Sequence, residues 1–170
     1  MSPTAHFLQT ARIVDPHGGR AAPLLYLQVG SLYSGDGAQG HAAVILAYRP
    51  SKGRFEQVFR KVFGGNRNQE ARYVASGPLS GSMISAEPTE NRPYAYWITV
   101  SRLTPDYSYR QVLHYRSATL YGDGNSLAVI DSEMPNILLR LGLWRPGQPL
   151  PVPKAGCRRP HLVKMELWCS

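Results

Sequence analysis

The sequence predicts a mostly β fold: an antiparallel hairpin array, propeller-like or β-sandwich, with one short helix near residues 133–142. Three observations predict it. Short runs rich in Val, Ile, Tyr, Phe, Trp and Thr recur between clusters of Gly, Pro, Asn and Ser, the pattern of strands joined by tight turns. The stretch 107–115 alternates, with Tyr107, Tyr109, Gln111, Leu113 and Tyr115 on one side and Ser108, Arg110 and His114 on the other, as a half-buried strand does. A chain of 170 residues that is 43% apolar can bury one good core and is too short for two ordinary enzyme domains, so a single β-rich domain over 1–170 is expected.

Taken in order, the predicted strands cover 24–29, 42–48, 71–75, 83–86, 94–101, 107–115, 127–131 and 162–168. The turns between them carry SGDGAQG, FGGNRN, SGPLSG, TENRP and YGDGN, where Gly accepts positive φ and Asn or Asp bonds its own backbone. Segment 54–63 reads two ways. Phe55, Val58, Phe59, Val62 and Phe63 fall at helical spacing before Gly64, but β-branched and aromatic content favours a strand. An aromatic-x-Gln-Val signature starting at Tyr26, Phe55 and Tyr109 adds to the strand reading and suggests a hairpin repeat of about 27 residues with one degenerate copy. The helix is predicted from Ser132 as cap, Pro135 in the first turn, a stripe of Met134, Ile137, Leu138 and Leu141, and Gly142 as the stop. After it, four prolines from Pro146 to Pro153 make residues 145–156 an extended strap that cannot enter a sheet interior.

Both cysteines, Cys157 and Cys169, lie near the end of the chain. Neither C-x-x-C spacing nor enough His accompanies them for a zinc site. A disulfide is expected, worth on the order of 3 kcal/mol and holding a C-terminal strand that would otherwise fray. It implies an oxidising compartment: periplasm, cell surface or secreted. The first nineteen residues show no signal-peptide pattern, so a mature exported form is the expectation, with a cytosolic chain as the alternative. No apolar run approaches the roughly 20 residues of a spanning helix, and a soluble protein without a membrane span is expected.

Acidic oxygens concentrate in YGDGNSLAVIDSEMP, residues 121–135. Asp131 and Glu133, two apart, would share a face if strand geometry ran through them, close enough to split their pKa values for acid/base work. The competing reading makes them a helix cap and a partner for the helix dipole. The twelve-residue calcium loop pattern fails from Asp123, because Leu127, Ala128 and Met134 stand at positions that need Asn or Asp, Gly and Glu. A looser calcium cage from Asp123, Asn125 and main-chain oxygens, with Asp36 of the similar Gly-Asp-Gly at 35–37, is the weak metal candidate; otherwise no cofactor is expected. GDGNSLAV resembles, over about ten residues, the calcium-binding turn of integrin-type propellers, though without the upstream Asp and Asn ligands; that resemblance implies a Gly-Asp-Gly turn leading into a short strand. No Walker loop, zinc-protease helix, nucleophile elbow or dinucleotide fingerprint occurs.

Nineteen basic residues against eleven acidic give +8, and fifteen of the nineteen are Arg. Scattered Arg argues for a basic surface more than a nucleic-acid site. The densest stretch holds Arg54, Arg60, Lys61, Arg67 and Arg72 among Phe55, Phe59, Phe63 and Tyr73, suited to another, acidic protein or an anionic envelope polymer. The expected function is therefore that of a small exported non-catalytic binding protein, of inhibitor, immunity or envelope-accessory type, engaging a macromolecular partner through loops and a basic edge. A hydrolase acting on polysaccharide or peptide through Asp123, Asp131 or Glu133 is the alternative, and a nucleic-acid binder the third reading.

Overall fold

The structure, a computed structural model, describes residues 7–16, 22–32, 39–63, 69–118, 126–148, 160–163 and 166–169. The chain is mostly β and forms two compact units, residues 1–67 with 103–109 and residues 68–102 with 110–170.

In the first unit, β1 (Phe7–Val14), β2 (Leu24–Leu32), β3 (Gln39–Arg49) and β4 (Arg54–Phe63) form an antiparallel meander in chain order. Cross-strand partners share a face. Leu24 and Ala47, Tyr26 and Ile45, and His41 and Phe63 face each other, and all but His41 are buried. A single 3₁₀ turn, Pro50–Lys52, joins β3 to β4 and closes on Gly53 at φ +60, whose N–H donates to the Pro50 carbonyl at 3.2 Å.

Segment 54–63 is thus a strand, and the structure explains its helical spacing. Ile45 pairs with Phe59 and Leu46 with Gln57, so Val58 is a bulge residue. One extra residue shifts the alternation by one, which throws Phe55 and Phe59 onto opposite faces. Strand β1 went unpredicted for a related reason, since a register break between Leu8 and Thr10 interrupts its alternation.

In the second unit, β5 (Glu70–Tyr73), β6 (Met83–Pro88), β7 (Tyr96–Leu103) and β8 (Tyr109–Arg116) form a second antiparallel meander. The predicted strand 107–115 begins only at Tyr109, because Tyr107 takes φ +57 in the preceding turn. Along it Tyr115 is buried and Tyr109 and Leu113 half-buried, as the alternation predicts, while Gln111 is exposed. Helix α1 (Ser126–Arg140) lies on this sheet, with Val129, Ile130, Met134, Ile137 and Leu138 packed against Ile84, Ala86, Tyr96, Ile98 and Val100.

Two expectations need correction. The predicted strand 127–131 is the first part of α1. Its Val129 and Ile130 continue the stripe of 134, 137, 138 and 141 at helical period, and burying that stripe outweighs their β propensity. Pro135 consequently sits in the helix interior, with no N–H to return to the Asp131 carbonyl. The predicted strand 162–168 is two strands, β9 (Pro160–Val163) and β10 (Glu166–Cys169), paired antiparallel with residues 164 and 165 between them. Cys157, and with it the expected disulfide, lies outside the described residues, as do 149–156 of the strap; its start is a turn in which the Trp144 indole N–H donates to the Gln148 carbonyl at 2.8 Å. Among the described residues no helix is long and apolar enough to cross a membrane.

The helix ends as the sequence predicts. The Leu143 N–H donates to the Leu138 carbonyl (2.8 Å) and the Gly142 N–H to the Leu139 carbonyl (3.0 Å), the paired bonds of a Schellman cap. Gly142 has φ +67, and a Cβ there would meet nothing within 4 Å. Gly142→Ala is therefore expected to cost about 1 kcal/mol in urea unfolding through backbone conformation alone, and a neutral result would show that the cap relaxes.

Candidate functional site

The acid/base alternative for Asp131 and Glu133 requires an extended backbone, and both residues lie within α1. At 100° per residue, Asp131 and Glu133 point about 200° apart around the helix. Glu133 is 1% exposed. Its Oε2 accepts from the Tyr115 hydroxyl (2.8 Å) and Asn136 Nδ2 (3.0 Å), and its Oε1 from the Ala118 N–H (2.9 Å). The Arg140 guanidinium lies 4.3 Å from the centre of the Tyr115 ring. Burial, then the bond to Glu133, pushes the Tyr115 pKa far up, so the phenol stays a donor. This carboxylate joins α1 to the end of β8, a structural task that occupies both oxygens. Asp36, Asp123, Asn125 and Arg67 lie outside the described residues, and among those described no group of three or more His, Cys, Asp or Glu could hold a metal ion.

The basic candidates divide. Arg54 Nη2 reaches Glu56 at 3.3 Å, sharing that carboxylate with Lys52 Nζ at 2.7 Å and Arg49 Nε at 3.3 Å. The hydrogen bond from Lys52, aided by Arg54, holds Glu56 below the usual carboxylate range. Arg49 also donates to the carbonyls of Asp106 and Tyr107 at 3.2–3.3 Å, and the Tyr107 hydroxyl accepts from the Ala22 N–H at 2.5 Å, so this network fastens the 104–108 turn. Arg60 and Lys61 are successive strand residues on opposite faces; Arg60 is exposed and Lys61 half-buried. Arg72 belongs to β5 in the second unit, next to Glu70, whose carboxyl burial raises.

A surface missed from sequence emerges on the outer face of the first sheet. Register places Val29, Ala42 and Val62 in one row, Leu27, Val44 and Arg60 in the next, then Leu25, Leu46 and Gln57, then Tyr48 and Phe55, with Leu8 and Ile13 of β1 at the edge. Leu8 is 58% exposed, Ile13 79%, Phe55 54% and Val62 40%. Between these edge positions Leu25, Leu27, Val29, Val44 and Leu46 are half-buried, and an aliphatic face of this extent is unusual on a free surface. A pocket of about 300 Å³ opens among Val29, Ser31, Ala42, Val44, Gln57 and Arg60. The Ser31 hydroxyl is buried without a hydrogen-bond partner. Gly30 leaves the opposite face of β2 to the Phe7 ring, which a Cβ would approach to 2.4 Å. Beside Gly30, the His41 ring stands 4.9 Å from that of Phe63 and burial lowers its pKa. Alternation of apolar residues on both faces of β2 and β3 was the available signal, and it reads as a two-sided core until exposure is known.

A second cavity, about 430 Å³, belongs to the second unit and is lined by Glu87, Glu90, Asn91, Trp97, His114 and Arg116, among others. Trp97 is 40% exposed and stacks on His114 at 4.8 Å and 14°, and His114 Nδ1 is 3.0 Å from Thr99 Oγ1. No protein-family model, curated protein or solved structure matches the chain, so function is argued from these surfaces.

If Glu133 is structural, Glu133→Ala should lower unfolding free energy by about 3 kcal/mol and Tyr115→Phe by about 1.5 kcal/mol. Urea titrations of both and of the double variant should give a coupling of at least about 1 kcal/mol. His41 supplies a pH dependence. Its folded pKa is below 6.5, so the unfolded chain takes the proton first as pH falls. Stability is complete above about pH 6.5 and declines below it, and His41→Phe should flatten the slope of urea midpoints between about pH 7.5 and about pH 5.

Proposed function

We propose that this chain is a non-catalytic binding protein that docks another protein on the outer face of its first sheet. The observation that carries the reading is the aliphatic make-up of that face, exposed at Leu8, Ile13 and Val62 on the edge strands and half-buried at Leu25, Leu27, Val29, Val44 and Leu46 between them, with Arg60 at a pocket that contains a desolvated and unpartnered Ser31 hydroxyl. Four strands about 4.8 Å apart and some eight residues long present roughly 500 Å², close to one side of a small specific interface. Water gains nothing by wetting Leu8, Ile13 and Val62, so covering them is the favourable term. A partner surface of aliphatic groups with a carboxylate opposite Arg60 supplies both chemistries, and the charged pair sets orientation and encounter rate more than affinity.

The test is capture of a partner from the native source, followed by its affinity for variants. Val62→Glu and Ile13→Glu alter exposed positions and should leave the fold within about 1 kcal/mol, yet weaken binding at least about tenfold. Arg60→Glu should reduce both the association rate and its dependence on salt. Capture of no partner, or wild-type affinity in the Val62→Glu variant, would count against this reading.

A further inference from the structure

We infer that the cavity beside Trp97 binds a neutral saccharide through stacking on the indole. This is independent of the docking reading, which concerns the other unit. On β7, Tyr96, Ile98 and Val100 are fully buried in the core shared with α1. Trp97 and Thr99 lie between them, so they point to the other side of the sheet. An indole that served only packing would be covered, and this one is 40% exposed.

Its geometry is also fixed in advance. His114 stacks parallel to it at 4.8 Å and is held in turn by Thr99 Oγ1, so one indole face is used up and the ring cannot swing freely. Glu87 stands directly across from Trp97 in the β6–β7 register. The loop that brings Glu90 and Asn91 to the cavity is pinned by Arg116, whose Nη2 donates to the carbonyl of Asn91 at 2.7 Å and to that of Pro93. The same loop is closed by Thr89, whose Oγ1 accepts from the Ala95 N–H at 3.0 Å. Side chains ordered before a ligand arrives lose little entropy when it binds.

The chemistry selects the ligand class. A sugar ring has an apolar C–H face and a rim of hydroxyls that both donate and accept. The cavity has an aromatic platform and a rim of carboxylate acceptors, Glu87 and Glu90, with the Asn91 amide, which does both. Two carboxylates line the cavity with one guanidinium, whose Nη2 is engaged with loop carbonyls and whose Nε is buried, and that excess of negative charge disfavours an anionic polymer. A quaternary ammonium group is disfavoured too, since it is best held by several aromatic faces and His114 occupies one side of the single indole. A cavity of about 430 Å³ is in the small-ligand range and has room for roughly one or two sugar rings.

The test titrates the full chain with cellotetraose, maltotetraose and tetra-N-acetylchitotetraose, following indole N–H resonances and calorimetry. One of the three should bind saturably at roughly millimolar affinity or better and shift the Trp97 signal. Trp97→Ala should weaken it at least about tenfold. Glu90→Gln, at an exposed loop position, should weaken it about threefold with an unchanged unfolding midpoint, which keeps the test intact should Trp97→Ala fail to fold. Absence of binding by all three sugars, equal binding by the Glu90→Gln and Trp97→Ala variants, or tighter binding of tetramethylammonium than of any sugar would overturn the inference.

Discussion

On β3, Ala43, Ile45 and Ala47 are sealed from water while Val44 and Leu46, their immediate neighbours, are not. That contrast follows from the two-residue period of a strand, which sends successive side chains to opposite faces. The first sheet commits one face to burial, through Leu24, Tyr26, Ile45 and Phe63, and the other face then has to be whatever the intervening residues are. Here most of them on β1, β2 and β3 are leucine, valine and isoleucine, with Gln57 and Arg60 on β4, where solvated sheets carry threonine, lysine and glutamate throughout. A protein that needed only to fold would gain nothing from keeping them apolar, since exposed aliphatics add little stability and promote association. The two edge strands differ in the same direction. β4 bears Arg54, Glu56, Arg60 and Lys61, charges that discourage strand addition, while β1 bears Arg12 alone and relies on its bulge.

The second unit depends on a different joint. α1 gives up one backbone hydrogen bond to Pro135, a loss of roughly 3 kcal/mol in an unsupported helix interior. It also carries Ser132, whose hydroxyl bonds back to the Val129 carbonyl at 2.9 Å, a habit that favours bending over straight helix. Burial of Ile130, Met134, Ile137 and Leu138 offsets both. Glu133 then sets where along the sheet the helix rests, because its carboxylate finds donors from β8, from the chain just beyond β8 and from its own helix at once. A buried carboxylate costs heavily unless its acceptor capacity is filled, so the register that fills it is strongly preferred over sliding alternatives.

Much of this architecture was legible in the residues. Strands flanked by Gly and Pro turns, the stripe from Met134 to Leu141 and the glycine that ends it all follow local rules. The failures have one physical origin: each rule was applied where a tertiary term overrides it. Val129 and Ile130 look like strand residues by propensity and are helical because their side chains complete a buried stripe. The spacing of Phe55, Phe59 and Phe63 imitates a helix because a bulge at Val58 shifts the strand's alternation. The acid/base alternative for Asp131 and Glu133 needed an extended backbone, which the buried stripe of α1 denies them. Neither candidate surface was legible, for two reasons. Exposure is not written in composition, so the aliphatic outer face is indistinguishable in sequence from core. The Trp97 cavity assembles residues from β6, β7, β8 and the 89–93 loop, none of which forms a local motif.

The two proposed binding surfaces would solve different recognition problems. An aliphatic sheet face with a single guanidinium gains from area and dehydration, and it tolerates variation in its partner because no dense set of hydrogen bonds has to be matched. On the saccharide reading the Trp97 cavity is the reverse: small, polar at its rim and held by stacking and by Arg116, so it would discriminate by geometry. Glu133 is saturated by structural bonds, and a carboxylate with both oxygens engaged cannot shuttle a proton without dismantling the helix joint it maintains. The binding proposals rest instead on the other two features, an aliphatic sheet face and a stacked indole beside a polar rim.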